Sequence, residues 1–255
     1  MKNLIFQYFI PYEGRDTYLN ETGIGFPSWV NIGKTSAEKY AKEIGAEYKF
    51  SDQKYMFSTL NVFESLRVIY DKKFDEYDNI LILDIDMIIN TKENIFDIPV
   101  EDIAMVHEQG CRWRTPVPGA SFDDAFWNRY FNHPRFGVTS YAKQYLSKDF
   151  KWQKSKLFPE EPFAMYNGGL QLWTKEGRLK ARKKIPRKSH DHFRESTGKT
   201  ETPYLNMMLF HHKFNITELP TEWNKLNFQW AKDGDYGKIT HFNDVVKDKM
   251  KTHGF

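Results

Sequence analysis

Two aspartates one residue apart, Asp84 and Asp86, interrupt an otherwise aliphatic run, NILILDIDMIIN over residues 79–90. Ile80, Leu81, Ile82 and Leu83 lead into the pair, and Met87, Ile88 and Ile89 lead out of it. Branched and aliphatic side chains at this density predict a strand of a sheet covered on both faces. Side chains in extended backbone repeat with a period of two, so both carboxylates are expected on the same side. Side by side in apolar surroundings they repel one another and lose hydration, so either one takes up a proton or both share a cation. A D-x-D pair on a polar loop is most simply a solvated turn. The apolar flanks here favour a metal, Mg2+ or Mn2+. Such a cation can hold the oxygens of a diphosphate and offset the charge that grows on a departing nucleoside diphosphate.

A metal pair is useful at the carboxyl end of a strand, where ligands bind in open α/β sheets. The first half of the chain predicts that setting. "LIFQYFI" is strand-like, and "GKTSAEKYAKEIGA" predicts an amphipathic helix capped at Thr35 or Ser36 and ending at Gly45. "EYKF" is a short strand, "YMFSTLNVFESLRVIYDKKF" repeats apolar residues at helical spacing, and "DNILILDID" follows as the next strand. Alternation of this kind predicts a parallel α/β sheet with right-handed crossovers. Beyond it, residues 110–162 are rich in Trp, Phe, Pro and charge with weak periodicity. "FAMYNGGLQLW" then predicts a strand holding a glycine pair, "ETPYLNMMLFHHKF" a helix with Pro203 in its first turn, and "ITELP" and "GKITHF" short strands. No linker, repeat or low-complexity tract divides the chain, so a single domain over 1–255 is expected.

Composition narrows the classes. A chain of 255 residues is long enough for a substantial core, and 40% hydrophobic with 16% aromatic residues excludes a disordered chain. The net charge of +3, from scattered lysines, requires no nucleic-acid partner, although it leaves nucleic acid open as an acceptor. The densest basic run, "RLKARKKIPRK" from Arg178 to Lys188, is expected as a solvated helix face and loop. A single cysteine, Cys111, rules out a disulfide within the chain and a cysteine-based zinc site, and a reduced, cytoplasmic setting follows as the expectation. The N-terminal "MKNLIFQYFIPY" is broken by Gln7 and lacks a small-residue cleavage site, so a first core strand is expected there. No run approaches the roughly 18 apolar residues that span a bilayer.

"YDNILILDIDMIIN" resembles the metal-binding segment of GT-A-fold glycosyltransferases, particularly the group of glycogenin and the bacterial lipopolysaccharide galactosyltransferases. Further segments resemble that group in the same chain order: "MYNGGLQLW" its Asn–small–Gly strand, "ETPYLNMML" the start of its Leu–Asn helix, "LPTEWNKLN" its Leu-Pro…Trp-Asn segment, and "ITHFNDVVK" its closing segment. The resemblance runs from Asn79 onward, apart from residues 110–162. It departs at Glu201-Thr202, where the group has Asp-Gln, at Asp244, where it has glycine, and at Asp248 and Lys249, where it has Pro-Trp.

The resemblance implies a GT-A, Rossmann-like α/β fold with a nucleotide-binding half over 1–109 and an acceptor-side half over 110–255. It implies metal-dependent transfer of a hexose, with retention, from a nucleotide sugar of the UDP type to a hydroxyl-bearing acceptor. His241 would complete the metal site of Asp84 and Asp86, and an imidazole beside two carboxylates suits Mn2+ better than Mg2+. Lys247, six positions on, would contact the diphosphate, and Arg67 the donor sugar or diphosphate. Asn167, Gly168 and Gly169 would let backbone approach the sugar while the Asn amide bonds a hydroxyl; the alternative is a bulge. Tyr12 lies where such folds stack the base. Glu201 is the carboxylate expected near the reacting carbon, with Glu160 and Glu161 as rivals, although a glutamate at a helix start also suits the helix dipole. Trp113, Trp127 and Trp152 are candidates for sugar stacking or for the core. The competing readings are a HAD-like phosphatase and an inactive carbohydrate-binding module. A HAD-like enzyme has its D-x-D near the chain start with Thr or Val where Ile88 stands. A sugar-phosphate nucleotidyltransferase is disfavoured because "IPYEGRDTY" lacks its Gly-rich loop.

Overall fold

The computed structural model describes residues 1–11, 26–56, 61–108, 134, 137–159, 163–227, 234, 236–242 and 249–251. Tyr12, Lys247, Cys111, Glu160, Glu161, Trp113 and Trp127 lie outside the described residues. The strands are β1 (Asn3–Tyr8), β2 (Glu47–Ser51), β3 (Asn79–Leu83), β4 (Met87–Ile89), β5 (Ile103–His107), β6 (Tyr166–Thr174), β7 (Ile216–Leu219), β8 (Lys225–Asn227) and β9 (Ile239–Phe242). The helices are α1 (Ser28–Glu43), α2 (Arg67–Tyr70), α3 (Val138–Tyr145), α4 (Lys175–Lys184), α5 (Ser189–Thr197) and α6 (Glu201–His211).

The strands form a six-stranded sheet in the order β2-β1-β3-β6-β5-β7 and a three-stranded sheet in the order β4-β9-β8. In the large sheet β6 runs antiparallel to both β3 and β5, and the remaining pairs are parallel. Successive residues alternate between two cores, as the near-continuous apolar runs require. Leu4 and Phe6, Ile80 and Ile82, and Ile103 and Met105 face one core; Ile5, Leu81, Leu83, Ala104 and Val106 face the other. The sheet therefore joins strands from both halves of the sequence. Among the described residues no helix is long and apolar enough to cross a membrane.

Several expectations are corrected. The strand expected to carry both aspartates ends at Leu83; residues 84–86 form a turn, and the chain enters the small sheet at Met87. The turn is held by its own backbone: Asp84 N–H donates to Gly169 O at 2.8 Å, and Asp86 O accepts from Phe242 N–H at 2.8 Å. Helix α1 begins at Ser28 after Pro27, earlier than Thr35 or Ser36, because Trp29, Val30 and Gly33 extend its buried face. Ser36 sits in mid-helix, where its Oγ accepts from Ile89 N–H at 2.8 Å. Gly45, with φ 70°, follows the helix end as expected.

Where a helix is expected across residues 55–74, the described residues from 61 onward form a 3₁₀ turn (Asn61–Leu66), the single turn α2 and a second 3₁₀ turn (Lys72–Phe74). Acidic side chains compete for the backbone there. Glu64 Oε1 accepts from the N–H groups of Tyr55 and Met56, and Asp71 accepts from Lys73 N–H. Nor is the basic run simply solvated. Arg178 is 1% exposed, and its guanidinium donates to the carbonyls of Trp173, Phe74 and Tyr77, while Arg182 makes a two-pronged pair with Asp75.

Candidate metal and donor site

The turn after β3 brings Asp84 and Asp86 to the carboxyl end of that strand, and register supplies the third group. Met87 pairs with His241 across β4 and β9, so the imidazole lies beside the turn. His241 Nε2 is 3.3 Å from Asp86 Oδ1 and 3.7 Å from Asp84 Oδ2. One ligand atom from each of the three residues lies within 4.8 Å of the others. Asp86 and His241 are buried, whereas the Asp84 side chain is 34% exposed and faces the open side. Two carboxylate oxygens and one imidazole nitrogen converging on one point form a donor set that fits Mn2+.

The surrounding backbone is shaped to this cluster. A Cβ on Gly169 would lie 2.7 Å from Asp84 Oδ2, 2.8 Å from His241 Cε1 and 2.9 Å from Met87 Cε, so only glycine leaves room for the three groups. Gly168 faces the other way, where a Cβ would meet Thr202 Oγ1 at 2.6 Å and Glu201 Oε1 at 3.4 Å. The glycine pair thus seats the metal triad on one residue and the start of α6 on the next. Met105 and His107 of β5 also frame an irregularity in the pairing with β6, so the bulge and the close approach occur together.

Two partners fix the cluster from behind. Gln7, fully buried in β1, donates to Asp84 O at 3.1 Å and accepts from the Tyr48 hydroxyl at 3.0 Å. Asn224, at the end of the 3₁₀ turn before β8, lies with Oδ1 3.2 Å from His241 Nδ1 and donates from Nδ2 to Asn167 Oδ1 at 2.9 Å. Asn167 Oδ1 also accepts from Gly169 N–H at 2.9 Å. Neither Gln7 nor Asn224 was expected at the site from the sequence. An isolated amide gives no periodicity or spacing signal, although "LPTEWNKLN" marked the segment of Asn224.

Glu201 opens α6 beside this cluster. Its Oε1 accepts from the Thr202 hydroxyl at 3.2 Å, and its Oε2 is buried without a hydrogen-bond partner among the described residues. Burial, and then the nearby Asp84 carboxylate, raise its carboxyl to about 7. Helix α6 is held to β6 by Asn206, which accepts from Tyr166 N–H and donates to Tyr166 O, both at 2.8 Å. Arg67 makes its contacts at the carboxyl end of β2 and in the segment beyond it. It pairs with Asp71 at 3.1 Å, donates to Ser51 Oγ and Gln53 O at the end of β2, and lies over the Tyr55 ring. Trp152 packs in the core, stacked on Phe163, with its indole N–H on Thr139 Oγ1.

Solved structures share this fold. The chain superposes on a glycosyltransferase involved in the glycosylation of the major capsid of PBCV-1 with a TM-score of 0.53 and 14% identity, over 99% of this chain and 98% of that one. It superposes on the galactosyltransferase LgtC, solved with donor and acceptor sugar analogs, with a TM-score of 0.50 and 10% identity, over 98% and 94% of the two chains. The fold is GT-A. No family model matches the sequence, and no curated protein matches it. At these identities the likeness establishes the GT-A fold; the chemistry rests on the residues of the site.

Proposed function

We propose that this chain is a metal-dependent glycosyltransferase that moves a hexose from a UDP-sugar to a hydroxyl-bearing acceptor with retention of configuration. The observation that carries the reading is the Asp84–Asp86–His241 cluster, seated on Gly169 at the carboxyl end of β3 in a GT-A fold. Asp84, Asp86 and His241 would hold a divalent cation, which would supply positive charge to offset that of a departing nucleoside diphosphate. Asp84, more exposed than its two partners, faces the donor side. Asn167 holds its carbonyl oxygen inward on two N–H groups, so the group it offers a sugar is the amide NH2, which donates to a hydroxyl oxygen. Gly168 and Gly169 let the strand approach that sugar closely. Glu201 stands next to them, buried at the start of α6, as the carboxyl assigned to the neighbourhood of the reacting carbon. Tyr12, Arg67 and Lys247 are assigned to the base, the sugar or diphosphate, and the diphosphate, by the resemblance alone.

Thermal unfolding with UDP, GDP, CMP and dTDP, each with and without Mn2+, tests the reading on the wild type and on Asp86→Asn. Mass action gives about 2.7 kcal/mol of stabilisation at a hundredfold excess of ligand over Kd. The expected result is stabilisation by UDP that needs both Mn2+ and Asp86. No shift with any nucleotide would remove the glycosyltransferase reading and advance the phosphatase and binding-module ones.

A further inference from the structure

We infer that Asn224 is a positioning residue: its single amide sets which imidazole nitrogen of His241 faces the carboxylates and which end of the Asn167 amide faces the donor. The inference rests on the metal and donor reading above and deepens it. The chain of hydrogen bonds runs through buried groups, with Asn224 4% and His241 5% exposed.

Its polarity follows from one group that cannot be reversed. A backbone N–H is always a donor, so the Asn167 atom 2.9 Å from Gly169 N must be the carbonyl oxygen. That oxygen can receive only an N–H from Asn224, which fixes Asn224 Nδ2 toward Asn167 and Asn224 Oδ1 toward His241. An amide oxygen demands a donor, so the His241 tautomer that can bind a cation here carries its proton on Nδ1. Nε2, the atom nearest Asp84 and Asp86, is then left with its lone pair directed at the metal position. At the far end the same logic leaves the Asn167 NH2 facing outward. One backbone N–H therefore settles an imidazole tautomer two side chains away. The metal ligand and the sugar-binding amide are held by one residue.

Two variants separate this role from simple packing. In Asn224→Asp the carboxylate still accepts from His241 Nδ1–H, but it offers no donor to Asn167 Oδ1, and the two oxygens repel. In Asn224→Ala both contacts are lost. Long-range 15N–1H NMR of His241 in the protein loaded with diamagnetic Zn2+ is expected to show the proton on Nδ1 in the wild type and in Asn224→Asp, and a tautomer mixture in Asn224→Ala. Mn2+ affinity, read from the EPR signal of free Mn2+, is expected within about threefold of wild type for Asn224→Asp and about 10–100-fold weaker for Asn224→Ala. The gain in affinity of a UDP-sugar over UDP is expected to vanish in both variants.

A wild-type proton on Nε2, or equal loss of Mn2+ affinity in both variants, would overturn the inference. So would unchanged Mn2+ affinity in both with only a lowered Tm. If wild-type protein binds no Mn2+, the metal reading itself fails. If it binds Mn2+ but no sugar nucleotide, the donor assignment and the Asn167 half fall together, while the His241 half stands on the NMR and EPR results.

Discussion

Gly169 shows how much of the site is decided one atom at a time. The place its side chain would take is filled by Asp84 Oδ2 and His241 Cε1 at 2.7 and 2.8 Å, both less than a normal contact distance from a carbon. Gly169→Ala is therefore expected to push the triad apart, with a strain of roughly 1–3 kcal/mol. Mn2+ binding by calorimetry should weaken at least tenfold, and unchanged affinity would mean the ion sits elsewhere. Glu201 carries a second prediction. Its folded-state carboxyl titrates near 7 against an ordinary value of 4.5, chiefly because it is buried. Below about pH 4.5 both folded and unfolded forms hold the proton; between 4.5 and 7 only the folded chain does. Metal-free stability should thus fall as pH rises through that window, by on the order of 1–3 kcal/mol, and stay low above it. Urea unfolding in EDTA from pH 5 to 8 should show the slope in wild type and a flatter profile in Glu201→Gln. An identical slope in the variant would assign it to other groups. The aspartates and glycines were legible in the sequence because their types conflict with their apolar surroundings. Gln7 and Asn224 were not, because a buried amide looks like a surface one until its partners are known.

At the scale of elements, the sequence located β1, β2, β3, β6, β7, β9 and α6 because each has a clear apolar pattern. It misplaced the start of α1 and the nature of the 61–74 segment. Pro27 and the buried face from Trp29 outweighed the capping signal at Thr35 and Ser36, and side-chain bonds from Glu64 and Asp71 broke the helical spacing. The turn at residues 84–86 was hidden because a chain that moves from one sheet to another keeps its apolar flanks throughout. Helix α1 supports that turn through Gly33, whose added Cβ would collide with the Ile85 carbonyl oxygen. The obstacle is backbone and cannot swing aside. Gly33→Ala should displace α1 or the turn, cost about 1–3 kcal/mol in urea unfolding, and weaken Mn2+ binding although it touches no ligand. Loss of stability with unchanged Mn2+ affinity would separate the helix from the site.

Over the whole molecule, the α/β class and the order of segments were readable, but the partnership between the halves was not. Strands β3 and β6 pair along five residues, from Asn79 with Thr174 to Leu83 with Leu170, and Arg178 locks α4 to the carbonyls of Phe74 and Tyr77. That role for a residue in a basic run depends on long-range geometry. Burial lowers the Arg178 guanidinium to about 10, still far above neutral, so the link keeps its charge.

The passage of the chain from the large sheet to the small one has a kinetic consequence. His241 lies on β9 and the two carboxylates on the turn that β3 hands to β4, so an ion shared by them is a reversible cross-link between distant segments. Strands of three or four residues make few ladder hydrogen bonds, so the small sheet is expected to open before the central one. Mn2+ should therefore slow amide hydrogen exchange at Thr240 and Phe242 more than at Leu81, whose amide lies in the central strand. Equal slowing at all three would mean the ion only raises global stability. With the expected pattern, the lifetime of the closed small sheet becomes a function of free metal concentration.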